Sequence, residues 1–239
     1  MKRFIGLSLL DWQHRYHEKM NLAVARLQDQ LDEITANTRL LVQADRLAVG
    51  ERAIEELFLS GAESRILPVG AKAPSFELLD FTGKPVKSSD LLALGPLIIS
   101  FFRGRWCPYC ATELEAWREL QGEVRQCGAL FVAISPQTMR HNDFTADRHG
   151  LTFPVLSDPG CEVAARFGLA YTLPPCMQTH YRGILVNIPF VNGDNTWRLP
   201  LPGTYVVGQD GKILYAAAHA DFRVRPEPQA VLASLPAKP

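Results

Sequence analysis

The chain has 239 residues, 47% of them hydrophobic, enough to bury one full core and carry an appendage. Its 25 lysines and arginines balance its 25 aspartates and glutamates, which argues against a nucleic-acid or anionic-membrane surface. No apolar run reaches membrane-spanning length, and five cysteines, an odd number, suit a reducing compartment better than a secreted disulfide framework, so the cytoplasm is expected.

Lys2 and Arg3 precede the apolar run Phe4 to Leu10, which is short for a signal core and is followed at once by Asp11, Gln13, His14 and Arg15. Residues 11–60 read as helical. Met20, Val24, Leu27, Leu31, Ile34, Thr38 and Leu41 recur at alternating steps of four and three, a narrow seam for packing on another helix, with Arg15, Lys19, Arg26, Asp29, Asp32 and Glu33 off it. A second helical stretch, Leu47 to Leu59, carries Ile54, Leu57 and Phe58 on one side and stops at Ser60-Gly61. The seam either caps the main body or joins two copies into a homodimer; its periodicity leaves both open. Pro68, Gly70 and Pro74 punctuate a linker over 62–73, giving an expected division into a helical extension, 1–66, and a main domain, 67–239.

Phe76 to Asp80 and Pro85 to Lys87 read as a hairpin around Thr82-Gly83-Lys84. Ser89-Asp90 are placed to cap a short helix, Leu91 to Leu94, before the apolar strand Leu97 to Phe102. Further along, Ala129 to Ile134 is a continuous apolar run, as in a strand buried on both faces, and Thr138 is placed to cap a helix that ends at Gly150. Phe153 to Leu156 is another strand. This β-α-β-α alternation predicts right-handed crossovers and a mostly parallel central sheet. Gly168 to Pro200 is a long insertion holding Cys176, Met177, His180, Tyr181, Arg182, Phe190 and Trp197, and connections of that length often serve as lids. Gln209 to Lys212 is a hairpin turn into Ile213 to Ala218, and a last helix runs to about Leu235. Arg223 and Arg225 read first as a solvated pair after an edge strand, ahead of an active-site role.

The strongest chemical signal lies where the strand Leu97 to Phe102 hands over to a helix. Arg103-Gly104-Arg105-Trp106-Cys107-Pro108-Tyr109-Cys110 puts two cysteines two residues apart at a helix start, with Pro108 fitting the first helical position. Free N–H groups, the positive end of the helix dipole and the charges of Arg103 and Arg105 all favour a thiolate there. Two thiols at this spacing form a reversible two-electron couple. A disulfide closing so short a loop would constrain the unfolded chain little, and zinc would need two more ligands that no second Cys-x-x-Cys or spaced histidine pair supplies. No metal or cofactor is expected. Cys127 and Cys161 read as small buried apolar residues, and Cys176 is the best candidate for a third redox thiol.

The segment Phe101 to Leu114 resembles the active-site stretch of the peroxiredoxin (AhpC/TSA) branch of the thioredoxin superfamily, in the subgroup that reads Arg-Gly-x-Trp-Cys-Pro-Tyr-Cys. The resemblance runs from about Val69 to the C-terminus and includes Val69 to Leu78, Ile134-Ser135-Pro136, Leu156 to Gly160 and Asp221 to Pro228. It implies an α/β fold, a thioredoxin-like (peroxiredoxin-type) mixed sheet flanked by helices, with the N-terminal helical extension added. It also implies a peroxidase reducing hydrogen peroxide or small hydroperoxides through Cys107 and Cys110, recycled by thioredoxin or a similar dithiol. The alternative is a thiol-disulfide oxidoreductase, and a third reading is a redox sensor or dimeric scaffold. Ordinary peroxiredoxins carry Pro-x-x-x-Thr-x-x-Cys, a register that makes Cys110 the attacking thiol; the thioredoxin register makes it Cys107. Pro202 stands where the superfamily has a cis-proline, so Arg103, Arg105, Trp106, Leu201 and Pro202 are the implied substrate-binding residues.

Overall fold

The computed structural model describes residues 26–236. The expectations for Lys2 to Leu10, Arg15, Lys19, Met20 and Val24 lie outside them. Two helices open the described chain, α1 (Leu27–Leu41) and α2 (Ala44–Leu59), followed by a single 3₁₀ turn, Ala62–Arg65. Gly61, left-handed at φ +68°, stops α2 where the sequence places its end.

The main body is built on a seven-stranded sheet. Its strands are β1 (Glu77–Asp80), β2 (Pro85–Lys87), β3 (Leu97–Phe101), β4 (Leu130–Ser135), β5 (Val155–Ser157), β8 (Gly203–Val207) and β9 (Ile213–Ala218), in the order β2-β1-β5-β4-β3-β8-β9. A separate ribbon pairs β6 (Ala170–Thr172) with β7 (Arg198–Pro200). Only β3, β4 and β5 run parallel; every other pairing is antiparallel. The sheet is therefore mixed, and the expectation of a mostly parallel one fails because hairpins reverse the chain on both flanks. A parallel pairing needs a crossover, and only the connections β3–β4 and β4–β5 make one.

The helices α3 (Ser88–Leu94), α4 (Pro108–Glu119), α5 (Gln121–Gln126), α6 (Met139–His149) and α7 (Glu162–Arg166) cover the sheet, and α10 (Pro228–Leu232) closes the chain. Neither Ser89 nor Thr138 caps through its side chain; the Thr138 carbonyl instead accepts the N–H groups of His141 and Asn142 at 2.9 and 3.0 Å. The two-residue alternation of β3 splits the core. Ile98 faces a cluster with Leu114, Trp117 and Phe131, while Leu97, Ile99 and Phe101 face one with Phe167 and Tyr205.

The described seam of α1 closes inside the chain. Leu27 and Leu31 are buried, with Ile34 beside them, in the cluster that holds Tyr109, Leu114 and Trp117 of α4, while Leu41 at its far end is 85% exposed. The cap arrangement thus accounts for the Leu27, Leu31 and Ile34 part of the seam. Glu227, just before α10, accepts the N–H groups of Leu27 and Gln28 at 3.0 Å each and so satisfies donors at the start of a helix 200 residues away. Replacing Glu227 with alanine is expected to cost about 0.5–2 kcal/mol and to speed amide exchange in α1 before any other helix. Among the described residues no helix is long and apolar enough to cross a membrane.

Candidate active site

β3 ends at Phe101, and the Phe102 N–H still reaches the Ile134 carbonyl at 3.0 Å, so the chain leaves the sheet only at Arg103. Gly104 (φ +147°) makes the turn; a Cβ there would lie 2.7 Å from Trp106 Nε1, so glycine is what lets the indole fold back over the loop. Cys107 is the residue before α4, and its carbonyl accepts the N–H groups of Cys110 and Ala111, both at 3.1 Å. Pro108 takes the first helical position, as the sequence indicates. Both sulfurs are buried, Cys107 at 2% and Cys110 at 1% exposure.

Each sulfur has its own buried arginine. Arg103 reaches the Cys107 Sγ at 3.9 Å and donates to the Tyr181 hydroxyl at 2.6 Å. Its guanidinium carbon lies 4.1 Å from the ring centre of Phe222 and 4.7 Å from that of Trp106. Among the described residues no carboxylate pairs with it, and its Nε has no partner. Burial works against its charge, but the flanking tyrosines and sulfurs raise its pKa above the usual arginine value, so it stays a cation. Arg225 donates to Glu113 Oε2 at 2.7 Å and to the Cys110 Sγ at 3.7 Å, and also to the carbonyls of Phe222 and Val224. Glu113 in turn accepts from Ser100 and Thr204 at 3.4 Å each. Burial pushes the Glu113 carboxyl above its usual range against the pull of Arg225.

The two thiols become unequal. Burial alone would raise the pKa of Cys107, but a hydrogen bond from Cys110 and the charges of Arg103 and Arg225 bring it down to about 6. Cys110 moves the other way: burial, its donation to Cys107 and the negative charge that Cys107 carries hold it well above the ordinary thiol value. The opposite shifts favour a thiolate at Cys107 beside a thiol at Cys110.

A cleft of about 510 Å³ opens over Cys107. Arg103, Trp106 and Tyr109 share its floor, Leu47 and Ile54 of α2 form one wall, and Met177 and Tyr181 of α8 (Pro175–Gly183) the other. Cys110 does not line it. The insertion contains β6, β7, α8 and α9 (Ile188–Asn192), and is folded around its own cluster of Leu173, Met177, Tyr181, Ile188, Trp197 and Leu199. It thus fulfils the expected covering role as a packed wall.

Several sequence expectations need correction. Arg225 is 5% exposed and sits at the site rather than in solvent, while Arg223 forks onto Glu51 of α2 at 2.5 and 2.9 Å and onto Asp221. Arg105 turns away: its backbone N–H donates to Gln137 at 2.8 Å and its guanidinium stacks on Phe144 at 4.8 Å. Leu201 packs in the Phe101–Tyr205 cluster on the other face of the sheet, and its N–H is taken by the Leu169 carbonyl at 2.8 Å. No cis peptide bond occurs among the described residues, so Pro202 is buried but trans. With the Leu201 N–H already given to Leu169, that donor is not available to a substrate strand. Cys161 is fully buried, its thiol pushed up by burial, and Cys176 is exposed at the start of α8, outside the cleft lining. No group of three metal-ligating side chains exists among the described residues.

A thiolate kept beside a protonated partner has two-electron exchange as its common use, so this sheet and this pair define a thioredoxin-like thiol oxidoreductase. Comparison with known proteins narrows the class. Residues 69–216 match the AhpC/TSA family, and the chain belongs to that family, in the peroxiredoxin branch of the superfamily. A putative peroxiredoxin of Mycobacterium tuberculosis is 31% identical over 153 residues, covering 64% of this chain and 85% of the relative. The thiol-disulfide oxidoreductase ResA of Halalkalibacterium halodurans is 27% identical, covering 63% and 85%. Among solved structures, peroxidoxin BcpB from Mycobacterium tuberculosis superposes with a TM-score of 0.56 at 26% identity, over 71% of this chain and 96% of that one. The protein is an oxidoreductase enzyme, a thiol-dependent peroxidase or thiol oxidoreductase.

Proposed function

We propose that the protein is a thiol peroxidase in which Cys107 attacks and Cys110 resolves. The observation that carries this reading is the pairing of a thiolate open to a cleft with Arg103, a buried cation that has no carboxylate of its own among the described residues. The Cys107 sulfur attacks the terminal oxygen of a hydroperoxide; the S–O bond forms as the O–O bond breaks, sulfur is oxidised to the sulfenic acid, and the departing oxyanion takes a proton to leave as an alcohol, or as water from hydrogen peroxide. Arg103 stabilises the thiolate beforehand and the oxyanion as it develops. Cys110 then gives up its proton beside Arg225 and attacks the sulfenic sulfur, releasing the oxygen as water and closing the Cys107–Cys110 disulfide. Thioredoxin or a similar dithiol in a reducing compartment returns the pair to the start.

Treating the reduced protein with one equivalent of peroxide tests the assignment. Peroxide is expected to disappear as a Cys107–Cys110 disulfide forms, and in Cys110→Ser the sulfenic acid is expected on Cys107. Consumption no faster than by free cysteine, or the added oxygen on another residue, would overturn it. A second reading, exchange with disulfides, is favoured by the similarity to ResA. It competes less well because the Leu201 N–H, a donor that a substrate strand would use, is already given to the Leu169 carbonyl.

A further inference from the structure

An oxygen that leaves a hydroperoxide as an anion needs a proton, and the cleft over Cys107 holds few groups able to give one. The arginines keep theirs too tightly. Tyr109 has committed its own: Thr35 Oγ1 donates to the Leu31 carbonyl at 3.0 Å, so the 3.2 Å contact between the two hydroxyls is a donation by Tyr109. Burial and the charge of Arg46 disfavour the protonated form of His180, and no hydrogen bond joins that ring to Arg103 or Cys107 among the described residues.

Tyr181 is placed differently. It lines the cleft from α8, and its hydroxyl oxygen accepts from Arg103 Nη2 at 2.6 Å. Having accepted there, the hydroxyl keeps its own proton, and among the described residues nothing takes it. The other amino group of the same guanidinium, Nη1, lies 3.9 Å from the Cys107 sulfur. Arg103 thus holds a thiolate at one tip and a phenol at the other. A hydroperoxide lying along that edge sets its terminal oxygen against the sulfur and its departing oxygen against the phenol. Tyr171 also faces Arg103, from β6, but does not line this cleft. Burial pushes the Tyr181 hydroxyl up to about 12, so the proton is in place when substrate arrives.

We propose that Tyr181 is the general acid of the reaction, giving its proton to the oxygen that Cys107 displaces, a role that rests on the peroxidase reading. The sulfur lone pair forms the S–O bond, the O–O bonding pair passes to the departing oxygen, and that oxygen takes the Tyr181 proton and leaves as an alcohol, or as water from hydrogen peroxide. A tyrosinate remains against Arg103 and recovers a proton from solvent. The negative charge has then moved from one tip of the guanidinium to the other, within reach of the same fixed cation throughout.

Oxidation of the reduced protein by ethyl hydroperoxide and by peracetic acid separates the roles, because sulfur attacks the terminal oxygen of both but ethoxide needs a proton to depart and acetate does not. Tyr181→Phe keeps the ring against Trp106, 4.9 Å between centres, and removes the hydroxyl. It is expected to slow ethyl hydroperoxide about 10²-fold and peracetic acid less than about threefold. The pH midpoint for alkylation of Cys107 by iodoacetamide is expected to hold, since Arg103 remains. An equal fall with both oxidants, a midpoint that rises, or a variant as fast as wild type with ethyl hydroperoxide would overturn the assignment of Tyr181 alone. The solvent deuterium effect needs no variant: the wild-type rate is expected to drop about twofold with ethyl hydroperoxide and not with peracetic acid, and no drop with either would overturn the same assignment. Wild-type protein that reacts with neither oxidant faster than free cysteine, while iodoacetamide still alkylates Cys107, would overturn the peroxidase reading and the role of Tyr181 with it.

Discussion

Replacing Arg103 with methionine is expected to lower kcat/KM for hydroperoxides by roughly 10²–10³-fold, the range for losing one donor to a developing oxyanion. Methionine can still fill the space between Trp106 and Phe222, so packing is disturbed less than charge. The loss has two parts that pH separates. The cation favours the thiolate, so without it burial gains weight and the Cys107 pKa rises from about 6. The acid limb of the pH–rate profile, and of alkylation by iodoacetamide, then moves upward, and part of the rate returns at alkaline pH. What does not return is the stabilisation of the leaving oxygen. An unchanged midpoint would assign the acidity of Cys107 to the hydrogen bond from Cys110 and to Arg225 instead.

Arg225→Met is expected to cost stability rather than simply rate. Arg225 and Glu113 are each 1% exposed at their side chains, and removing one partner of a buried pair typically costs about 3–5 kcal/mol because the other charge is stranded. Glu113 limits the damage by protonating. Its carboxyl already sits above its usual range, and losing Arg225 raises it further. A group whose folded pKa is raised contributes stability below its unfolded value, and that contribution is lost as pH rises through the folded one. The variant is therefore expected to be closer to wild type at pH 5 than at pH 8 in urea midpoints. Combining it with Glu113→Leu is expected to recover much of the loss, a coupling that a double-mutant cycle would measure. A penalty independent of pH, or an additive double mutant, would show that the pair is not one buried unit.

The local features of the site were legible because they are written in consecutive residues. The strand Leu97–Phe101, the handover at Cys107 and Pro108 at the first helical position all follow from a fourteen-residue stretch whose apolar run, cysteine spacing and proline each have a single structural use. Arg225 ranked first as a solvated residue because its partner Glu113 is 112 residues away. A signal did exist: in Arg223-Val224-Arg225 the two arginines lie two residues apart and part company, one forking onto Glu51 and the other turned inward onto Glu113. The α1 periodicity showed that a helix would be packed on, and Leu27 and Leu31 are, but periodicity does not name the partner, which proved to be α4 of the same chain. Nor did any pattern place α2 and α8 across the cleft, since that depends on how the extension and the insertion each settle on the sheet.

One consequence of the aromatic bracket around Arg103 is optical. Among the described tryptophans, Trp117 stacks on Phe131 in the core and Trp197 lies beside Arg182, whereas Trp106 alone shares a guanidinium with the reactive sulfur. When that sulfur trades its negative charge for oxygen or for a bond to its neighbour, the field across this one indole changes and its emission changes with it. Trp106 emission is therefore expected to follow the oxidation state of Cys107 in real time, and a stopped-flow trace on adding peroxide to the reduced protein, lost in Trp106→Phe, checks it.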